Sequence, residues 1–145
     1  MQKDNNFSPI TINYPLRVPF YDIDAMHIVW HGHYVKYFED ARCTLLDSIG
    51  YNYMDMEKSG YGWPVIDLRI QYVRPLKFGQ EIIIKAALKD IEYGLHIGYN
   101  IVDKNSGQRL TKGYSKQIAV ALDSGEMLLC SPDVLYEKIS RYRQR

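Results

Sequence analysis

In residues 21–42, YDIDAMHIVWHGHYVKYFEDAR, two acids (Asp22 and Asp24) and three histidines stand directly before a helical pattern. After Gly32 the apolar side chains recur with the 3.6-residue period of an amphipathic helix. They are Tyr34, Val35, Phe38, Ala41, Leu45, Leu46 and Ile49. The spacing predicts one long helix from Gly32 to Ile49, with Gly50 at the position just past its end.

The segments on either side of this helix have the two-residue period of β-strands. Residues 15–23, PLRVPFYDI, predict a strand at a sheet edge or with a bulge, because Pro15 and Pro19 cannot donate ladder hydrogen bonds. We expect residues 1–13 to form a loose lead-in. Four further alternating runs follow Gly62, separated by short turn sequences. In the last run the predicted shared face is Leu110, Tyr114, Ile118, Val120 and Leu122.

Short connections between long alternating strands favour an antiparallel sheet. The fold class is therefore α+β, in one domain spanning residues 1–145. One helix cannot cover five flat strands, so either the sheet curls around it or a second subunit covers the rest. Residues 131–145 predict a short C-terminal helix with Ser131 as N-cap and Pro132 at its first position. A basic tail follows, with Arg141, Arg143 and Arg145.

Composition excludes several classes of protein. Lys and Arg number 18 against 17 Asp and Glu, and this net charge of +1 gives no field for nucleic acid. No uncharged apolar run approaches the roughly 18 residues of a membrane span, and no signal peptide is visible. The two cysteines form no C-x-x-C motif. We expect a cytoplasmic protein with reduced thiols.

The histidines of the opening stretch first suggest a metal site. His27, His31 and His33 form an H-x-x-x-H-x-H pattern, and Asp24 would be a fourth ligand. However, His27 precedes the predicted helix, and the chain has no H-E-x-x-H motif. We therefore expect no metal. His96, which alternates with apolar residues, is predicted to be structural.

The carboxylates and the helix start offer different chemistry. On an extended segment Asp22 and Asp24 point to the same side, about 7 Å apart. Either could act as a general base or a nucleophile. Residues 29–33, VWHGH, contain no good N-cap residue, so the first N–H groups of the helix are free to stabilise an oxyanion. Such a pairing favours acyl transfer, with His31 as a further candidate donor.

These residues resemble a known signature. The motif combines an aromatic residue, D-x-D, a valine, a tyrosine and E-x-A-R. Here these are Tyr21, Asp22, Asp24, Val29, Tyr34, Glu39, Ala41 and Arg42. It is similar to the 4-hydroxybenzoyl-CoA thioesterase-like branch of the hotdog-fold acyl-CoA thioesterases, which includes the Tol-Pal-associated bacterial enzymes. Residues 70–88, IQYVRPLKFGQEIIIKAAL, resemble the strand–proline–glycine–strand segment of the same family.

The resemblance implies a hotdog fold, in which a five-stranded antiparallel sheet wraps one long central helix. It implies that Asp24 is the catalytic carboxylate and that the backbone N–H of His31 polarises the thioester carbonyl. The expected substrate is an acyl-CoA or acyl-carrier-protein thioester. No cofactor is expected, since coenzyme A is part of the substrate. The family assembles as homodimers or homotetramers.

Further substrate contacts are expected around this centre. Trp30 and Tyr34 are candidates for the acyl pocket, and Arg74 and Lys77 for the phosphates of coenzyme A. Two alternatives stay open. One is a hydratase or dehydratase that uses His31 or His33 with Glu39, and the other is a non-catalytic acyl-CoA or carrier-protein binding module.

The chain also departs from the family pattern. The family usually has glycine three residues after the acid, where this chain has His27. The Tol-Pal-like branch has tyrosine where this chain has Phe20. We expect the bulkier loop at His27 to narrow the pocket or alter the oxyanion geometry.

Overall fold

The computed structural model describes residues 6–145. Its strands are β1 Ile10–Arg17, β2 Tyr61–Gly62, β3 Val65–Tyr72, β4 Glu81–Asp90, β5 Leu95–Asp103, β6 Arg109–Gln117 and β7 Val120–Ala121. Its α-helices are α1 Tyr34–Ser48, α2 Tyr53–Lys58 and α3 Asp133–Arg143, and two 3-10 turns span Phe20–Asp22 and His31–His33. None of the helices in residues 6–145 is long and apolar enough to cross a bilayer.

Five strands form one antiparallel sheet in the order β1-β4-β5-β6-β3, and β2 pairs with β7. The predicted α+β class and five-stranded sheet are confirmed. Strand β1 lies at an edge, as its prolines predicted, and Pro15 pairs with Ile83 of β4.

The predicted bounds of β1 are wrong. The strand begins at Ile10, so the expected loose lead-in through residue 13 is contradicted from there, while residues 1–5 lie outside the described part of the chain. Ile10 is buried and pairs with Leu88, which supplies the packing that orders this segment. The strand ends at Arg17, because Pro19 stops the ladder and residues 20–22 turn into a 3-10 helix.

Helix α1 packs against the inner face of the sheet. Phe38 is fully buried and stacks on Tyr99 of β5, with ring centroids 4.2 Å apart. Opposite this pair, a Cβ at Gly113 would lie 2.7 Å from the Phe38 ring and 2.3 Å from the carbonyl oxygen of Arg69. Only glycine therefore allows β6 to approach the helix this closely.

The predicted helical stripe is largely confirmed. Of its seven residues only Val35 is exposed, while Tyr37 and Arg42 are buried although the period did not predict them. The α-helix begins at Tyr34, two residues later than predicted, because the 3-10 turn His31–His33 precedes it. Gly50 has a φ of 72°, which confirms the left-handed position after the helix.

The inner face of β6 is polar, and this contradicts the predicted face containing Tyr114. The inward residues are Thr111, Ser115 and Gln117, all buried. Ser115 Oγ lies 2.7 Å from the hydroxyl of Tyr99, and Arg42 donates to the same hydroxyl at 3.4 Å. Polar side chains fill this buried face, and Ser115 and Gln117 are hydrogen-bonded there, so a hydrophobic period could not identify it.

The C-terminal helix α3 begins differently from the prediction. Pro132 takes the N-cap position, and Ser131 Oγ instead accepts the N–H of Gly94 at 2.9 Å. Arg141 and Arg143 lie in the last turn of this helix and not in a tail after it, and two basic residues at this end contact the rest of the chain. Arg143 donates to the carbonyl of Ser8, and Arg145 donates to that of Ser48 at 3.4 Å.

Candidate active site

Asp24 opens a tight hairpin that ends at Ile28. The Asp24 N–H donates to the Ile28 carbonyl at 2.8 Å, and the His27 N–H donates to the Asp24 carbonyl at 3.0 Å. Ile23 and Val29 form an antiparallel bridge beneath this loop. The three loop residues 25–27 fit the common hairpin connection of a type I turn followed by one left-handed residue.

His27 occupies that left-handed position, with a φ of 64°, and it is the one non-glycine residue with positive φ in the described chain. The position explains why the resembling family has glycine here, since a side chain in this conformation is strained. His27 thus constrains the backbone next to the candidate catalytic acid. Its expected effect on the pocket or on the oxyanion geometry stays a prediction.

The Asp24 carboxylate is half-buried at the mouth of this hairpin. Its Oδ1 accepts the N–H of Met26 at 2.8 Å, which fixes the side chain against its own loop. Asp24 also lies near Tyr34. Burial raises the pKa of the Tyr34 hydroxyl, and the negative charge of Asp24 adds to this shift. The charge of Asp24 therefore acts on Tyr34, the first residue of α1.

The start of the helix has no side-chain cap, as the sequence predicted. Neither Trp30, before the 3-10 turn, nor His33, before α1, makes a side-chain cap hydrogen bond. The first N–H to be used is that of His33, which donates to the Trp30 carbonyl at 2.9 Å. The N–H groups of His31 and Gly32 make no such bond within residues 6–145. They are available to an external acceptor at the positive end of the helix.

A contact from strand β3 holds His31 at the start of the helix. His31 is exposed, and its carbonyl oxygen accepts the hydroxyl of Tyr72 at 2.7 Å. Gly32 lies under the ring of Trp30, where a Cβ would be 2.2 Å from the ring. These contacts set the orientation of the His31 peptide.

Asp22 is a buried anchor and not a second surface acid. Its Oδ2 accepts the Tyr37 hydroxyl at 2.6 Å, its Oδ1 accepts Lys36 Nζ at 2.9 Å, and His33 Nε2 lies 3.7 Å away. Burial opposes ionisation of Asp22, but the hydrogen bonds from Tyr37 and Lys36 outweigh it and hold the pKa below its usual value. Its backbone oxygen accepts the N–H of Trp30 at 3.0 Å.

This arrangement contradicts the premise that Asp22 and Asp24 share one extended segment. Asp22 ends the 3-10 turn Phe20–Asp22, and Asp24 opens the hairpin. Sequence reasoning missed Asp22 as an anchor and also missed Tyr37 and Tyr72. The sequence did contain a hint. Lys36 and Tyr37 lie in the first turn of the helix, and a buried tyrosine hydroxyl needs a hydrogen-bond partner, which Asp22 supplies.

The four predicted substrate contacts lie in different settings. Trp30 is 46% exposed, and its ring packs on those of His31 and His33. Tyr34 is buried, with its ring 4.7 Å from that of Tyr72. Lys77 is exposed, and its backbone forms an antiparallel β-bridge with Ile28 of the hairpin, which places it beside the site. Arg74 is exposed in the turn after β3.

The alternative residue sets are not brought together. Glu39 is exposed on α1, and no contact joins it to His31 or His33 within the described residues. The carboxylate beside His33 is Asp22. Within residues 6–145 no group of three or more His, Cys, Asp or Glu side chains is placed to hold a metal ion. His96 is half-buried on β5, as a structural residue would be.

Comparison with known proteins gives consistent similarities. The model of the thioesterase-like superfamily matches residues 18–138. A putative esterase of Synechocystis is 31% identical over 130 residues, 89% of this chain and 78% of that protein. A putative acyl-CoA thioesterase of Bacillus subtilis is 33% identical over 114 residues, 75% of this chain and 79% of that protein.

Solved structures give the same fold. The structure of a DHNA-CoA thioesterase from Staphylococcus aureus superposes with a TM-score of 0.80. It is 23% identical and covers 92% of this chain and 91% of its own. The fold is therefore the hotdog fold that the sequence resemblance implied.

Substitution of His27 tests the strained hairpin. We expect His27→Gly to unfold at a urea concentration no lower than the wild type, because glycine adopts the left-handed conformation without strain. His27→Val should lower the free energy of unfolding by about 1–2 kcal/mol. Equal stability of the glycine and valine variants would contradict the strain.

Substitution of Asp22 tests the anchor through pH. Because its pKa is depressed in the folded state, its contribution is present above about pH 4 and is lost as the pH falls through the folded-state pKa. Asp22→Asn should cost about 2 kcal/mol at pH 7, and less in acid. Urea unfolding from pH 7 to pH 3 measures this. The exposed Asp47→Asn is the control and should show neither effect.

Proposed function

The chain belongs to the thioesterase-like superfamily, and on that premise we propose that it hydrolyses acyl-CoA thioesters. One observation carries the proposal. The Asp24 hairpin and the uncapped start of α1 are tied together by the bond from the Trp30 N–H to the Asp22 carbonyl. The hairpin with the carboxylate and the free N–H donors are thereby held next to one another, and we infer that both act on one thioester, as acyl transfer needs.

We assign the chemistry as follows. The thioester carbonyl oxygen accepts the backbone N–H of His31, which stabilises the negative charge that develops on it. Asp24 either attacks the carbonyl carbon as a nucleophile or activates a water molecule as a general base. In both cases the carbon–sulfur bond breaks, and the thiol and the carboxylic acid are the products. The imidazole of His31 is a further candidate donor.

Substrate recognition follows from the side chains around this centre. We assign Trp30 and Tyr34 to the acyl group, because their rings line the helix start. Lys77 and Arg74 are our candidates for the phosphates of coenzyme A, since both are exposed, and Lys77 pairs with the hairpin. An acyl-carrier-protein thioester remains within the proposal, and a cytoplasmic location remains a prediction.

Strand β3 supports a homo-oligomer. It is an edge strand whose residues are exposed along most of its length, including Val65, Ile66, Leu68 and Tyr72. Such an edge pairs readily with another chain. The opposite edge, β1, contains Pro15 and is a poorer partner. We propose a homodimer that joins two β3 strands, alone or within a homotetramer.

Asp24→Asn tests the proposed function. With a panel of acyl-CoAs and release of free thiol as the readout, we expect the wild type to hydrolyse at least one substrate. The variant should lose about 10²–10⁴-fold in kcat, because it lacks the base or nucleophile. Unchanged activity in this variant would reject the assignment of Asp24.

Glu39→Gln is the matched control, since it removes one exposed carboxylate from the same segment. It should hydrolyse thioesters like the wild type. If it instead abolished water addition to an enoyl-CoA while no thiol was released, the hydratase alternative would replace the thioesterase.

Leu68→Lys tests the proposed interface. A charge in the middle of the exposed edge strand should yield a monomer in light scattering, because the buried ammonium would find no partner. Leu129→Lys is the control, since Leu129 is 88% exposed and lies outside the sheet. A Leu68→Lys protein of wild-type mass would place the interface elsewhere.

A further inference from the structure

The outer face of the sheet carries more positive than negative charges, and the acid Asp67 lies opposite Lys116. Cross-strand neighbours place Arg69 of β3, Lys112 and Lys116 of β6, and Lys85 and Lys89 of β4 on the side away from α1. The whole chain has a net charge of only +1. None of the five lies directly opposite another, but their concentration on one face of a nearly neutral chain calls for a reason.

Three of these cations surround a cavity of about 420 Å³, which Arg69, Lys89 and Lys112 line together with Gln71, His96, Gly113 and Tyr114. No carboxylate is among the lining residues. None of the three cations forms an ion pair within residues 6–145, where the ion pairs involve Asp22 and Glu81. The size is within the range of sites for small ligands.

The backbone directs Lys89 into this cavity. Leu88 pairs with Ile97 and Asp90 pairs with His96, so Lys89 is the extra residue of a β-bulge. Its side chain lies across Gly98, where a Cβ would be 2.5 Å from Lys89 Cε. The bulge and the glycine together let the lysine cross to the neighbouring strand. Burial lowers the pKa of His96, and the charges of Lys116 and Lys89 lower it further against the opposing effect of Asp90 and Asp67.

The nearby acids Asp67 and Asp90 do not line the cavity, and both are hydrogen-bonded. Asp67 accepts the hydroxyl of Tyr114 at 3.3 Å, and Asp90 accepts the N–H groups of Ile91 and Glu92. A second copy of this chain is a poor occupant, because a twofold contact would bring cations against cations. A guanidinium and two ammonium groups around one cavity match the charge and geometry of phosphate groups.

We propose that Arg69, Lys89 and Lys112 form a binding site for a diphosphate group on the outer face of the sheet. The ligand is a small diphosphate, either free or carried by a nucleotide whose base can contact the rings of Tyr114 and His96. None of the residues that line this site belongs to the Asp24 hairpin. Ligand binding to it can therefore be measured without measuring thioester hydrolysis.

Calorimetric titration with inorganic pyrophosphate tests the site, at an ionic strength held constant with sodium chloride because charge attraction is screened by salt. We expect the wild type to bind pyrophosphate. Arg69→Gln and Lys112→Gln should each weaken the binding about tenfold or more. Lys58→Gln removes an equal charge from α2, outside the cavity, and should bind like the wild type.

Gly98→Ala provides the sharpest variant, because it changes no charge. The added methyl group must displace the Lys89 side chain, so binding should weaken as it does in Lys89→Gln. Thermal midpoints without ligand show that each variant is folded. Absence of pyrophosphate binding to the wild type, or equal binding to Lys58→Gln and Lys112→Gln, would overturn the proposal.

Parallel titrations with ADP and coenzyme A identify the source of the diphosphate. If coenzyme A binds most tightly and Lys112→Gln raises the KM for acyl-CoA at unchanged kcat, the site holds the nucleotide of the substrate. If ADP binds and hydrolysis is unaffected, the site serves a separate nucleotide. Both results support a diphosphate site.

Discussion

The candidate site depends on the hydrogen bonds of Asp22. Its buried carboxylate accepts hydrogen bonds from Tyr37 and Lys36 of α1, and the backbone oxygen of the same residue accepts the N–H of Trp30. Asp22 therefore joins the end of the first 3-10 turn to the helix that follows the hairpin. Because both ends of the hairpin are fixed, the position of Asp24 relative to the helix start is also fixed.

Local sequence patterns predicted most of the fold. The helix was found because its apolar face packs on the sheet, and β4 and β5 were found because each has one apolar and one polar face. The pattern was wrong where hydrogen bonds, not apolar contacts, bury a residue. On β6 the buried residues include Ser115 and Gln117, and on α1 they include Arg42. No hydrophobic period reports such a network, since its partners lie far apart in sequence.

The candidate site was predictable in its composition but not in its geometry. The D-x-D motif left Asp22 and Asp24 open, the missing N-cap indicated the helix start at His31, and the family resemblance singled out Asp24, which stays a prediction. The separate role of Asp22 depends on Tyr37 and Lys36, which reach it only after the chain has turned. Likewise the left-handed backbone of His27 follows from a three-residue hairpin loop, which the sequence AMH does not encode in a recognisable way.

The two edges of the sheet differ, and this difference limits how further chains can add to the sheet. Pro15 leaves β1 without a full set of donors, whereas β3 is an eight-residue edge strand without proline, regular after a bulge between Val65 and Asp67. Two copies joined through β3 would show only β1 edges to the solvent. Strand addition would then be disfavoured beyond a pair, because a third chain would meet only β1, whose ladder Pro15 interrupts. The proline thus favours a closed assembly of defined size over an open-ended fibre.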